Sequence, residues 1–272
     1  MLLLQALILG VVQGLTEMWP VSSSAHLVLL PWLLKWDSPL LNSLSFDVAL
    51  HFGTLLALLL YFYDDLWDLA RCWGKGLETT ERRENRRLGI LLVIAVIPGA
   101  LAGYFFEKQA GSLFRDPSKI ALALIGMGAL MVCLDLWRPQ FREISRFRPL
   151  QALLTGCFQA LAIFPGVSRS GATLTSLRLL GFQRPDAARL SFLMALPLVG
   201  GACLLEGRHL WKGGIPQGEA LPLIVGVFAA ALSGFLVIKY FMKFLRSHTL
   251  LGFGIYRFIL GGLVLAVVAL RS

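Results

Sequence analysis

Apolar residues dominate from 2 to 17 and again from 24 to 36, with Trp19-Pro20-Val21-Ser22-Ser23-Ser24 between them. Each run falls short of the roughly 20 residues that carry a helix across a bilayer. Pro20 and the three serines break the pattern, so the pair is predicted to form a re-entrant hairpin. The irregular tip of such a hairpin must be buried in protein or line a wet cavity, because unpaired backbone groups cannot face lipid. Longer apolar runs follow at 45–62, 88–106 and 119–137. The pattern then starts again: an interrupted segment, 150–163 with 172–182, precedes runs at 187–206, 219–240 and 250–270.

The repetition reaches single residues. Gly10 and Gly156, Gln13 and Gln159, Ser45-Phe46 and Ser191-Phe192, and Ala49-Leu50 and Ala195-Leu196 are each 146 apart, while Pro20 and Pro165 slip by one. Duplication explains a register kept on both sides of the Pro-containing break. Corresponding Gly/Pro-interrupted apolar segments are also a sequence pointer to a central membrane site. The expected architecture is an all-α polytopic membrane protein forming one domain over residues 1–272. Repeat 1 occupies about 1–137 and repeat 2 about 150–270, each a re-entrant helical hairpin plus three transmembrane helices.

Charge sets the expected orientation. Arg71, Arg82, Arg83, Arg86 and Arg87 crowd the segment 64–87, and Arg138, Arg142, Arg146 and Arg148 the segment 138–149. The positive-inside rule makes both cytoplasmic. Both termini and the Gly/Pro-rich loop 207–218 are then outside, and the two halves have inverted topology. Gly111 and Asp116-Pro117 signal a turn in the short outer loop between two spans. A composition of 57% hydrophobic and 15% charged residues excludes a soluble domain with a large core. The Lys and Arg residues behind the net charge of +9 gather in short loops between apolar spans, which points to a membrane protein and not to a nucleic-acid partner. Residues 1–12 lack a basic n-region and read as mature structure. Cys72, Cys133, Cys157 and Cys203 lie singly and imply neither metal nor disulfide. Gly126, Gly128, Gly261 and Gly262 inside spans suit close helix packing.

The two breaks carry the chemistry. An ionisable group inside a membrane is costly and marks a site by default. If the tips meet, Glu17, Ser22, Ser23, Ser24 and His26 face Ser168, Arg169, Ser170 and Thr173. Arginine presents a planar fork suited to phosphate oxygens, and a helix beginning after Gly171 would aim free N–H groups at an anion. Glu17 would hold a divalent cation or act as a base. His26 would be a nucleophile, a general acid or the activator of Ser23. Each residue also has a purely structural reading, as a hydroxyl bonded to a helix carbonyl or a helix-bridging His or Arg. Asp47 and His51 share one helical face at i, i+4, either supporting the site or forming a structural pair. Arg257, after Tyr256, would reach a phosphate or merely end a helix.

With these motifs in view, the chain resembles the undecaprenyl-diphosphate phosphatases, the bacitracin-resistance family of bacterial inner-membrane enzymes, over nearly its whole length. Two motifs carry the likeness: Gln13-Gly-Leu-Thr-Glu17 with Pro20-Val-Ser22-Ser23-Ser24-Ala25-His26, and Pro165-Gly166-Val-Ser168-Arg169-Ser170-Gly-Ala-Thr173. The resemblance implies removal of the terminal phosphate of undecaprenyl diphosphate, a polyprenyl lipid substrate. It also implies a divalent cation, Mg2+ or Ca2+, held in part by Glu17, and a site open to the periplasm. Carried over, Glu17 is the essential acid, Ser23 and His26 the candidate nucleophile pair, and Arg169 with Ser168, Ser170 and Thr173 the phosphate cradle, joined by Ser22, Ser24 and Arg257. Gln13, Asp47 and His51 support them. Gln13 stands where many members have Glu, Ala25 where Gly is frequent, and His51 where some have Gln. A transporter or flippase of a phosphorylated polyprenyl lipid is the alternative. A type-2 phosphatidic-acid phosphatase would need a His shortly after Ser168-Arg169, where Thr175 and Ser176 stand. A homodimer is left open.

Overall fold

The computed structural model describes residues 1–74, 77–110, 115–213 and 218–271. Gly111 therefore lies outside the described residues, as does most of the expected outer loop after residue 213. The helices are α1 (Leu2–Met18), α2 (Ser23–Leu34), α3 (Leu44–Tyr61), α4 (Tyr63–Arg71), α5 (Thr80–Ala110), α6 (Pro117–Trp137), α7 (Pro149–Ala160), α8 (Arg169–Leu179), α9 (Arg184–Gly213), α10 (Ala220–Phe244) and α11 (Leu251–Arg271). No strand occurs among the described residues, and the chain is an all-α polytopic membrane protein. Six of these helices, α3, α5, α6, α9, α10 and α11, are long and apolar enough to cross a bilayer.

The short helices fall where the pattern breaks. α1, at 17 residues, spans about 25 Å at ~1.5 Å per residue, and α2 with 12 residues reaches about 18 Å, so neither crosses alone. α7 ends in a single 3₁₀ turn, Leu161–Ile163, before the second break. Three boundaries differ from the sequence expectation. α8 begins at Arg169, because Ser168 caps it by accepting from Gly171 N–H at 3.0 Å. α5 starts a full two turns before residue 88, and α4 forms inside the segment expected to be a plain loop. α4 carries Asp64 and Asp65 in its first turn and Arg71 in its last, which suits its dipole.

Glycine lets two of the short helices approach their neighbours closely. α1 packs on α10, where a Cβ on Gly10 would overlap the Gly226 carbonyl oxygen, and α7 packs on α5, where one on Gly156 would overlap the Ala95 carbonyl oxygen. These are the two glycines 146 residues apart. Of the four span glycines, Gly128 and Gly261 meet neighbouring helices, whereas Gly126 and Gly262 have open space beside them.

One end of the bundle is fastened by a fully buried carboxylate that the apolar pattern of α6 conceals. Asp135 accepts from Arg178 and Arg184 at 2.8 Å each and from Leu250 N–H at 2.8 Å. The bonds join α6, α8, α9 and the start of α11. Removing one partner of such a group would leave a buried charge uncompensated.

Candidate functional site

The two breaks form matching turns that touch. Ser22 and Ser168 both have positive φ, 73° and 72°, and both cap the following helix with their hydroxyls. Ser22 lies 3.2 Å from Ser24, and Ser168 lies 3.2 Å from Ser170. Gly166 N–H donates to Ser22 Oγ at 3.0 Å, and Ser170 Oγ reaches the carbonyls of Glu17 (3.3 Å) and Trp19 (3.2 Å). A non-glycine residue in the left-handed region is uncommon, and strained backbone clusters at functional sites. Here the paired strain brings the starts of α2 and α8 together, each with first-turn N–H groups that have no partner inside the helix.

Glu17 lies at this junction, 6% exposed. Oε1 accepts from Arg169 Nη2 at 2.5 Å, and Oε2 accepts the Ser23 hydroxyl. Gln13 Nε2 and His51 Nε2 each lie 3.4 Å from Oε2. Arg169 Nη1 is buried with no protein partner, and so is Gln13 Oε1. The cluster therefore holds a hydroxyl bonded to a carboxylate, an unspent guanidinium donor and an unspent amide acceptor. Gln13 is anchored on its other side by Nε2 donating to Thr54 Oγ1 at 3.4 Å, a partner that nothing in the sequence pattern singled out.

His26 and Ser23 are not paired. His26 Nδ1 donates to the Ser22 carbonyl at 2.7 Å, which leaves Nε2 as the acceptor from Tyr256 Oη at 2.7 Å. The two rings stack at 10° with centroids 5.7 Å apart. The Ser23 hydroxyl donates to Glu17 and not to His26. Tyr256, which with Arg257 resembles the family's Tyr-Arg pair, thus contacts His26 directly.

Arg257 reaches the junction from behind, through the backbone carbonyls of both turns. It is fully buried and donates to the carbonyls of Leu124 and Pro20 at 3.0 Å each, Gly166 at 2.6 Å and Val167 at 3.2 Å. Its fork ties both turns to α6, and its guanidinium donates to backbone carbonyls. Arg257→Lys is expected to lower the melting temperature, since each carbonyl left without a donor costs about 1–3 kcal/mol. Thermal melts of purified protein check this, and a variant with an unchanged melting point but a raised KM would return Arg257 to the substrate.

The expected hydroxyl cradle is also largely spent. Ser22 and Ser168 serve as caps, and Thr173 donates to the Arg169 carbonyl at 2.9 Å beside Ser191 at 2.5 Å. Asp47 pairs with Arg115 at 3.0 Å, and its carbonyl accepts His51 Nδ1 at 2.7 Å. Both ring nitrogens of His51 thus face acceptors, and α3 fastens the far side of Glu17.

For a divalent cation the donor set is thin but hard. Glu17 offers a carboxylate and Gln13 an unpartnered carbonyl oxygen, and the described residues contain no group of three or more His, Cys, Asp or Glu placed to hold a metal. That fits an ion of the Mg2+ type, which takes one or two protein carboxylates and completes its shell with water and phosphate oxygens.

Comparison with known proteins agrees with the geometry. The family model described as bacitracin resistance protein BacA matches residues 6–263. The chain is 44% identical to the undecaprenyl-diphosphatase of Pelobacter propionicus over 271 residues, 98% of this chain and 97% of that one. It is 45% identical to the protein of the same name from Trichlorobacter lovleyi over 97% of both chains. Identity to the one from Moorella thermoacetica is 44% over the full length of both.

Proposed function

The chain belongs to the bacitracin resistance protein BacA family, and on that premise we propose that it hydrolyses undecaprenyl diphosphate to undecaprenyl phosphate and inorganic phosphate. The observation that carries the reading to residues is Glu17, with the Ser23 hydroxyl on one oxygen and Arg169 on the other, beside an unspent Arg169 Nη1. Nη1 and the first-turn N–H groups of α2 and α8 hold the terminal phosphoryl oxygens. Ser23 Oγ attacks phosphorus while its proton passes to Glu17, and the bond to the bridging oxygen breaks to release undecaprenyl phosphate. Water then cleaves the seryl phosphate, giving inorganic phosphate and returning the proton to Ser23. Glu17 and Gln13 Oε1 would hold the cation, which when bound neutralises charge on the diphosphate. His26, turned to Tyr256, takes no part in activating Ser23.

The test is phosphate release from undecaprenyl diphosphate by purified protein, with and without chelator. Release identifies a phosphatase, whereas movement of intact lipid between leaflets without release identifies the flippase alternative. The inverted arrangement of repeats 1–137 and 150–270, residence in the bacterial inner membrane and a periplasmic opening belong to this reading as well. They rest on the Arg-rich segments and the 146-residue register. Cysteine placed at residue 2 is expected to react with an impermeant reagent in intact cells, while one at residue 84 stays protected. The reverse pattern would overturn the orientation.

A further inference from the structure

A cavity of about 430 Å³ is lined among others by Trp32, Lys35, Trp36, Asp37, Arg115 and Arg271. It lies where α2 and α11 end and α6 begins, so the length of α6 separates it from Asp135. Lys35, Arg115 and Arg271 line it together with Asp37, and Arg115 is also paired with Asp47.

Its construction is specific in two ways. Among the described residues, non-glycine positive φ occurs at three positions: Ser22 and Ser168, which build the active-site turns, and Lys35. Lys35 ends α2 in the left-handed conformation (φ 54°) that glycine ordinarily supplies, yet the position carries a long cation. The other two cations are braced. Arg271 lies over the Trp32 ring at 4.6 Å and donates to the Trp32 and Leu33 carbonyls, each at 3.2 Å. Arg115 is held at 3.0 Å by Asp47. The Lys35 amine forms no ion pair among the described residues.

The cavity adjoins the active site through two helices. Asp47 precedes by one turn His51, whose Nε2 is 3.4 Å from Glu17. Val28 of the cavity wall stands two residues beyond His26 on α2. We propose that this cavity is a second phosphate site, taking either the headgroup of the lipid diphosphate before it enters or orthophosphate after it leaves. The role rests on the phosphatase reading. A flexible ammonium attracts a phosphate without fixing its geometry, which suits a landing or departure site, and two tryptophans at a helix end suit the headgroup level of a bilayer.

Lys35→Gly removes the amine while giving the left-handed position its preferred residue, so the melting temperature holds or rises. Lys35→Glu reverses the charge. Both are assayed as full-length protein with undecaprenyl diphosphate, with and without added orthophosphate. If the lipid lands here, KM rises several-fold in Lys35→Gly and further in Lys35→Glu while kcat holds, and the salt dependence of kcat/KM shrinks. If orthophosphate departs through it, KM holds and inhibition by orthophosphate weakens. Wild-type KM together with wild-type phosphate inhibition in both variants overturns the proposal. Should the wild-type protein release no phosphate, the phosphatase reading falls instead. Phosphorus NMR titration of orthophosphate against wild type and Lys35→Gly then still decides the cavity, with equal line broadening rejecting it.

Discussion

Arg169→Lys is expected to lower kcat/KM by on the order of 10²- to 10³-fold, about 3–4 kcal/mol of transition-state stabilisation. The guanidinium does two jobs with separate nitrogens: Nη2 holds Glu17 at 2.5 Å, and Nη1 is buried without a partner. A lysine keeps the charge and can still meet Glu17, but a single ammonium at the end of a flexible stem cannot also present the second, fixed donor. The loss should fall mainly on kcat, because a donor aimed at the phosphoryl oxygens gains most as charge builds there in the transition state. Steady-state kinetics on detergent-purified protein of wild-type melting temperature is the check. A kcat/KM near wild type would mean that phosphate is held by the helix starts alone.

The pair of short helices on either side of the first break is legible because it follows from length. Segments 2–17 and 24–36 cannot cross a bilayer, and Pro20 and the serines mark where the chain turns. The six crossing helices followed from hydropathy in the same way. What the pattern could not show is which hydroxyl meets which base. The sequence offers His26 as the activator of Ser23, and the structure places the Ser23 hydroxyl on Glu17 instead. The Ser22 turn bonds the His26 imidazole to its own carbonyl and leaves the Ser23 hydroxyl on Glu17. Arg257 illustrates a second limit. A conformation-dependent role, bracing two turns through carbonyls, leaves no mark in sequence, since carbonyls are present at every residue. Thr54, Arg115 and Asp135 were hidden for a related reason, because each is a single polar residue in or beside an apolar helix with its partner far along the chain.

The 146-residue register also explains why the chemistry is one-sided. Gln13 corresponds to Gln159, yet Glu17 corresponds to Ile163 and His51 to Pro197. Gln159 is as buried as Gln13, and neither of its amide atoms has a partner. The second half therefore supplies a helix start and Arg169 but carries Ile163 at the position 146 residues beyond Glu17. Its turn serves the Glu17 of the first half across the junction, which is why one site and not two forms where the breaks meet.

Glu17→Gln is the substitution expected to have the largest effect, a fall in kcat of about 10³-fold or more. Gln13 cannot ionise, so Glu17 is the one carboxylate of its motif and the group that receives the Ser23 hydroxyl. The amide keeps the shape but can neither take the serine proton nor hold a cation as strongly. Some stability is expected to go as well, because Arg169 is left partly buried without its counter-charge, a loss bounded by the ~3–5 kcal/mol typical of breaking a buried pair. The two effects separate on one preparation. A catalytic base predicts that the protein remaining folded at assay temperature is nearly inactive, whereas a salt-bridge partner predicts a lower melting temperature with kcat intact. Gln13→Glu supplies the complementary arm: a second carboxylate one helical turn from Glu17 should be tolerated and should strengthen the dependence on divalent cation, read as a lower chelator concentration for half-inhibition. Full activity in Glu17→Gln would leave the Ser23 hydroxyl without a base and reopen attack by His26.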